Sequence, residues 1–544
     1  MQAINKVASG AALFIATGLA PPGFAQTATP LDDQRLDQLP QEDVRKDPLE
    51  SDATTSDPVS IRAAADQGST IRHIQFVGTE VPLIVARAAE DFVGQAASIE
   101  NLRALTAAMS QAYGKSDIAL FTVVIPDQDF SDGTVKIAVA EGYIESVVLT
   151  GEVEGRDLDL VRSYAEKLRQ EQPLTRPKLE RYLSLIRDLP GIDVKPKMQV
   201  GSRRGAVRLI LELDYLRPTV SVSYNNRSTQ LIEAGQVEAN AKAYNLFRDG
   251  DQTQITGASS TNFKDLLYVS LSHSTPITSE GTRVRASVGH LETQPSGTLV
   301  KGTADTASLL ITHPVIRSYR TNLNAAFGLD AVDSDSSAFG SVVATEKVRA
   351  LRAALTGSKK SPERLISGRL TVSQGLNIFN ATAAASQSDL KFRKANGLVA
   401  LSQQVITDVI ARVRLSGQWT EDPVPVTERF TVGGETLGRA FENGLISSDR
   451  GLGSSLELAF RPLSGDFGPS EIYGFVDYAT GDVLARGRFT GASFDMASAG
   501  GGVRIGYSDK GMIGLEAARV IDKPYSSYSK KWRISVNWKL SLRP

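Results

Sequence analysis

The chain of 544 residues carries 60 Lys and Arg against 61 Asp and Glu, a net charge of −1. This balance points to no strongly basic or acidic partner and argues against nucleic acid. The lack of cysteine rules out a disulfide framework, and the length calls for about two to four domains.

At the N-terminus Lys6 precedes an apolar stretch, Val7 to Ala20, then Pro21, Pro22 and the small-x-small site Gly23-x-Ala25. This is the pattern of a secretory signal peptide, residues 1–25, with an apolar core too short for a membrane anchor. Residues 26–68 are rich in Asp, Gln, Pro, Ser and Ala and read as a linker. Plain disorder suits it better than a short plug helix near Leu31–Leu39.

Two compact units follow, each in the order strand, helix, helix, strand, strand. The first, 69–142, has strands at Ile71–Val77, Ile118–Ile125 and Thr134–Ala140, and a helix opened by Ser98 with Leu102, Leu105, Met109 and Ala112 on one face. The second, 143–216, has strands at Ile144–Thr150, Asp193–Val200 and Ala206–Asp214. Thr175 is read as the cap of a helix whose stripe is Leu179, Tyr182, Leu183, Ile186 and Leu189, stopped by Pro190-Gly191. The order of elements repeats after about 70 residues although the letters hardly do.

From Pro218 helical periodicity vanishes and period-two alternation takes over. Trp532, Ile534, Val536, Trp538, Leu540 and Leu542 face one way, while Arg533, Ser535, Asn537, Lys539 and Ser541 face the other. Tryptophan at the start of the apolar row and again at 538 suits the aromatic girdles of a membrane barrel. Sixteen such segments are expected, near 219–228, 235–246, 251–261, 266–276, 282–294, 305–316, 321–335, 345–360, 363–376, 388–405, 408–420, 452–463, 469–481, 493–508, 512–521 and 531–542. No apolar run reaches the ~20 residues of a spanning helix. A soluble β-sandwich would also alternate, but the signal peptide favours a barrel. The fold class is therefore mainly β: a 16-stranded transmembrane antiparallel barrel over 217–544, preceded by two small α/β (βααββ) domains. One interval, Glu421–Gly451, has neither period and reads as a long structureless loop, which is usually functional or disordered.

Three segments resemble the two-partner secretion transporters, the TpsB proteins of the haemolysin and filamentous-haemagglutinin secretion type. They are Val123–Gly133 with Val135–Gly142, the helix exit Asp188-Leu-Pro-Gly191, and the interval holding Phe430-Thr-Val-Gly433-Gly434 and Leu437-Gly438-Arg439-Ala440-Phe441. In that family two POTRA domains precede the barrel, and the long loop folds into the lumen with a Val-Arg-Gly-aromatic tip. The resemblance assigns Arg439 and Phe441 to the tip. It assigns Asp477 to the wall acid of a Phe-x-Asp-x-Gly strand motif, here Phe475 to Ala479. Ala440 and Ala479 stand where glycine is usual, and Gly438 stands where a β-branched residue is usual. The tip backbone is therefore expected to be tuned differently.

The resemblance implies an outer-membrane transporter that binds an unfolded exoprotein through periplasmic POTRA domains and passes it to the cell surface. Outer-membrane lipid and, during biogenesis, the barrel-assembly machinery are the other partners implied. An insertase for other barrels and a passive solute channel are the alternatives. Family members usually end in an aromatic residue, whereas this chain ends Leu542-Arg-Pro544. The pairing also has a physical reason: an arginine on a wet loop tip is weakly held unless its fork meets a carboxylate on the rigid wall. Gly433-Gly434 lacks a following Lys-Ser/Thr and reads as a turn, not a phosphate cradle. His73, His273, His290 and His313 match no metal-ligand spacing. No catalytic constellation stands out, so neither enzyme activity, metal nor cofactor is expected.

Overall fold

The computed structural model describes residues 69–542 apart from 153, 155–157, 233–234, 384–387, 464–469, 488 and 508–509. The signal peptide, the linker with its helix at Leu31–Leu39, and the terminal Arg543 and Pro544 lie outside the described residues. A boundary after Leu216 separates two compact units.

The first unit holds two three-stranded mixed sheets. In the first, β1 (His73–Gly78), α1 (Leu83–Glu90), α2 (Ile99–Lys115), β2 (Phe121–Val124) and β3 (Thr134–Glu141) give the sheet order β1-β3-β2. In the second, β4 (Tyr143–Gly151), α3 (Asp159–Arg169), α4 (Arg176–Arg187), β5 (Ile192–Val200) and β6 (Ala206–Tyr215) give β4-β6-β5. The central strand pairs parallel on one side and antiparallel on the other in both. Each helix pair buries its apolar stripe on one sheet face. Leu102, Leu105 and Met109 meet Val135 and Ile137 in one core; Leu179, Leu183 and Ile186 meet Leu209 and Leu211 in the other.

Ser98 caps α2 as expected, its Oγ accepting the Asn101 N–H at 3.2 Å. Thr175 departs from its expected role: it occupies the N-cap position of α4, but its hydroxyl donates to Glu171 at 3.0 Å instead of capping. Gly142 alone joins β3 to β4. Its N–H donates to Leu120 O and its carbonyl accepts from Leu174 N, and a Cβ there would lie 2.6 Å from Leu120 Cβ. The two sheets are thus stitched at a point that only glycine fits.

The second unit is a closed barrel of sixteen strands. They begin with β7 (Thr219–Asn225), β8 (Gln236–Tyr244), β9 (Gln252–Ser260), β10 (Leu266–Pro276), β11 (Arg283–Thr293) and β12 (Val300–Arg317). Next come β13 (Thr321–Ala338), β14 (Ser341–Lys360), β15 (Arg364–Gly375), β16 (Arg393–Ile406) and β17 (Val409–Thr420). Two short strands, β18 (Phe430–Val432) and β19 (Ile446–Ser448), pair only with each other. The wall resumes with β20 (Arg450–Leu463), β21 (Ser470–Val483), β22 (Ala492–Tyr507), β23 (Gly511–Asp522) and β24 (Trp532–Leu542). β24 pairs antiparallel with β7 and closes the ring.

Alternation sorts the side chains to the two faces of the wall. On β21, Ile472, Val476 and Tyr478 are exposed on the outer face, whereas Tyr473, Phe475, Asp477 and Ala479 are buried on the inner one. On β20, Leu452, Leu456 and Leu458 face outward in the same way. This is the distribution a lipid-facing belt requires.

Candidate functional site

The interval between β17 and β20 is not structureless. Val426–Glu428 forms one 3-10 turn, and β18 and β19 make a short hairpin that carries the tip, 433–445. The hairpin lies against side chains of the inner wall face, and the sequence of β20 explains why it fits there. The inward row of β20 is Gly451, Gly453, Ser455 and Glu457. A Cβ at Gly451 would fall 2.1 Å from Phe430 Cδ1, and one at Gly453 would fall 2.0 Å from Leu437 Cδ2. Two missing side chains thus form the bed on which the loop's two apolar residues rest. Gly453→Leu is expected to cost about 1–3 kcal/mol of overpacking and to unseat Leu437. Higher ion conductance of the reconstituted protein in planar bilayers is the readout.

Further along the row, Ser455 and Glu457 receive the tip arginine. Arg439 is 4% exposed and Asp477 is 1% exposed. The Arg439 backbone N–H donates to Asp477 Oδ2 at 3.0 Å, with Nε at 3.2 Å from the same oxygen and Nη2 at 3.3 Å from Oδ1. Nη1 donates to Glu457 Oε2 at 2.8 Å and Nη2 to Ser455 Oγ at 3.0 Å. The guanidinium stacks 3.4 Å from the Phe475 ring centroid, adding a cation–π contact. Phe475 itself lies flat because its neighbour across the strand pair is Gly500, where a Cβ would sit 2.8 Å from the ring.

The structure therefore brings Arg439, Asp477 and Phe475 together. Phe430, Phe441, Ala440 and Ala479 share one apolar cluster beneath them, with Phe441 5.4 Å from Tyr528. The methyls of the two alanines pack into that cluster. Positive φ falls at Gly433 (+104°), Gly434 (+132°) and Gly438 (+69°), so the left-handed turn before the arginine is made at 438 and Ala440 needs no such conformation. At Gly433 a Cβ would lie 2.1 Å from Glu442 O, so this turn admits glycine alone.

Several residues of the seat went unrecognised in the sequence. Arg227 donates to the carbonyls of Gly434 and Arg439, both at 3.1 Å, and to Glu516 Oε1 at 2.6 Å. Glu457 is shared with Arg412 and Arg504, which also hold Glu471. At the loop's feet, buried Glu428 meets Arg352 at 2.7 Å and Lys394 at 2.9 Å. Buried Asp449 accepts from Val424 N at 3.0 Å and Leu484 N at 2.7 Å and pairs with Arg486. The usable signal was parity: once β20 is phased from Leu452, the row Gly451, Gly453, Ser455, Glu457 must face the lumen.

A closed sixteen-strand barrel with a loop bound to its inner wall, behind two βααββ domains, defines an outer-membrane transporter with POTRA domains. Residues 209–505 match the haemolysin secretion/activation protein ShlB/FhaC/HecB family, and residues 69–142 match the ShlB-type POTRA domain. The chain belongs to that family. It is 20% identical over 471 residues to the heme/hemopexin transporter protein HuxB of Haemophilus influenzae, covering 82% of each chain. Among solved structures it is similar to CdiB from Escherichia coli, with a TM-score of 0.72 at 18% identity over 96% of this chain and 98% of that one. CdiB from Acinetobacter baumannii gives 0.62 at 17% identity, covering 96% and 98%. BamA from Haemophilus ducreyi lacking POTRA domains 1–3 gives 0.52 at 14%, covering 87% and 100%. The protein is an outer-membrane transporter of two-partner secretion, its POTRA domains periplasmic. The insertase alternative is not favoured.

Proposed function

We propose that the POTRA tandem captures an unfolded exoprotein in the periplasm and hands it to the barrel, where loop 421–451 is the element displaced during passage. The division of labour we propose is a cleaved signal peptide to residue 25, a linker to 68, POTRA domains over 69–142 and 143–216, and the barrel from 217. Capture would use strand addition at an open sheet edge, where main-chain hydrogen bonds demand little of the cargo's sequence. Among the described residues β1 and β4 each have one unpaired edge, as do β2 and β5. The β5 edge is blunted by Pro196 and flanked by Lys195 and Lys197, and β2 is only 4 residues long, so β1 and β4 are the better templates. Outward Leu, Val and Trp side chains contact outer-membrane lipid, and the barrel-assembly machinery inserts the chain. No nucleic acid, metal or catalytic step enters. Directionality comes from the exoprotein folding outside, which removes it from the exit.

The observation that carries this reading is the Arg439 seat, a cation of the loop buried among carboxylates of the inner wall. A loop held in the lumen this firmly has to leave its seat before a polypeptide can pass. The test is secretion of the cognate exoprotein, sought first among the genes neighbouring this one, assayed in the medium and on the cell surface with and without this protein. Export is expected to require it. Equal export without it, with other barrels lost from the outer membrane, would instead identify an insertase.

A further inference from the structure

Along β17 the inward row is Arg412, Arg414, Ser416 and Gln418. Arg412 holds Glu457 and Glu471 at 2.7 Å each. Gln418 binds the carbonyls of Glu428 and Asp449 at 3.0 and 2.9 Å. Arg414, half-buried between them, makes no hydrogen bond or ion pair with any described residue. A free arginine on the wall of a polar lumen is ordinary. Its place in the sheet register is not. Arg414 stands opposite Ser455, Ser455 opposite Asp477, and Asp477 opposite Ser498. Arg414 is therefore two strands, roughly 9–10 Å of wall, from the carboxylate that holds the loop. Between them lies only Ser455, whose hydroxyl is occupied by Arg439. A cavity of about 260 Å³ lined by Arg414, Arg439, Ser455 and Glu457 gives the side chain room to move.

When the loop withdraws, the carboxylates around Arg439 fare unequally. Glu457 keeps Arg412 and Arg504, and Glu516 keeps Tyr473 and the option of Arg227. Among the described residues Asp477 keeps only the Ser498 hydroxyl, at 3.2 Å. Left without its cation beside Glu457 and Glu516, which Arg439 bridges to it in the seated state, the Asp477 carboxylate meets like charge and opposes opening. We infer that Arg414 is the wall's replacement counter-ion for Asp477, crossing Ser455 to take the seat that Arg439 vacates. The inference rests on the proposed withdrawal of the loop. In the closed state Arg439 fills the seat and repels the second guanidinium, which keeps Arg414 idle. In the open state the extended arginine and the aspartate together span the two strands. Arg414 is thus a positioning residue of transport, one that lets the loop leave without stranding a charge in the wall.

The test is a background-dependent heat midpoint of the purified full-length protein, paired with the secretion assay. Arg414→Gln alone is expected to leave the midpoint unchanged, since it breaks no contact. In an Arg439→Ala background, where Arg414 already occupies the seat, it should lower the midpoint by about 2 °C or more. In Arg439→Ala with Asp477→Asn it should have no effect, because nothing remains to neutralise. If Arg439→Ala fails to assemble, Gly453→Leu provides a second background in which the loop is unseated with Arg439 intact. An equal drop in wild-type and loop-released backgrounds would mean a structural role, and no drop in either would mean no exchange. Both outcomes overturn the inference. Wild-type export by Arg439→Ala would instead defeat the loop reading itself, so the two failures are separable.

Discussion

Arg439→Ala is expected to abolish most export of the exoprotein while leaving barrel abundance in the outer membrane unchanged. The expectation follows from where the cost falls. The arginine is a loop residue, so its loss breaks no strand pair. It does strip the cation from Asp477, which is 1% exposed, and one of three from Glu457. Removing one partner of a buried pair costs about 3–5 kcal/mol, against about 0–1 for an exposed one. A bias of that size against the seated loop changes its population ratio by a factor of about 10²–10⁴. Arg439→Lys separates charge from geometry. Lysine restores a cation but not the fork that spans Asp477, Ser455 and Glu457, nor the stack on Phe475. Intermediate export is expected. The assay is the exoprotein in medium and on cells, normalised to heat-modifiable barrel in the membrane. Undiminished export by Arg439→Ala with the loop displaced would mean that seating is irrelevant to transport.

The barrel was legible because its two sides offer different solvents. Lipid outside and polar lumen inside impose a period of two on each wall strand, and all sixteen expected segments overlap wall strands. The misses are informative. β12 to β14 run 18, 18 and 20 residues, well past the ~9–11 that cross a membrane. Beyond the bilayer both faces meet water, so Asp333 to Ser337 is polar on each and alternation no longer marks the strand. That is why 321–335 and 345–360 were too short. The loop hairpin was invisible for the opposite reason. Its partners are Gly451, Gly453 and the inner wall, and no local period reflects contacts made across the lumen. Arg439 and Asp477 were paired through resemblance alone. Arg227 and Glu516 lie 212 and 77 residues from the tip in the chain, and only closure of the ring brings them to it.

Asp449→Ala is expected to do what Arg439→Ala does not, and destabilise the barrel's rim. Asp449 sits one residue before β20 and is fully buried. One carboxylate oxygen caps the Val424 N–H at the loop's start, and the other caps Leu484 N–H in the β21–β22 connection and meets Arg486. A single side chain thus ties both feet of the loop to the next connection. Alanine would orphan two backbone donors and leave Arg486, whose side chain is 3% exposed, without its carboxylate. The charge alone is worth about 3–5 kcal/mol, and each stranded N–H adds about 1–3. Asp449→Asn keeps an acceptor for one donor but offers the guanidinium no charge, so it should fall between wild type and alanine. Lower heat resistance of the folded barrel on gels, with faster external proteolysis near 421–451, is the expected signature. If Asp449→Ala resists heat like the wild type while Arg439→Ala still loses export, the tip holds the loop without help from its feet.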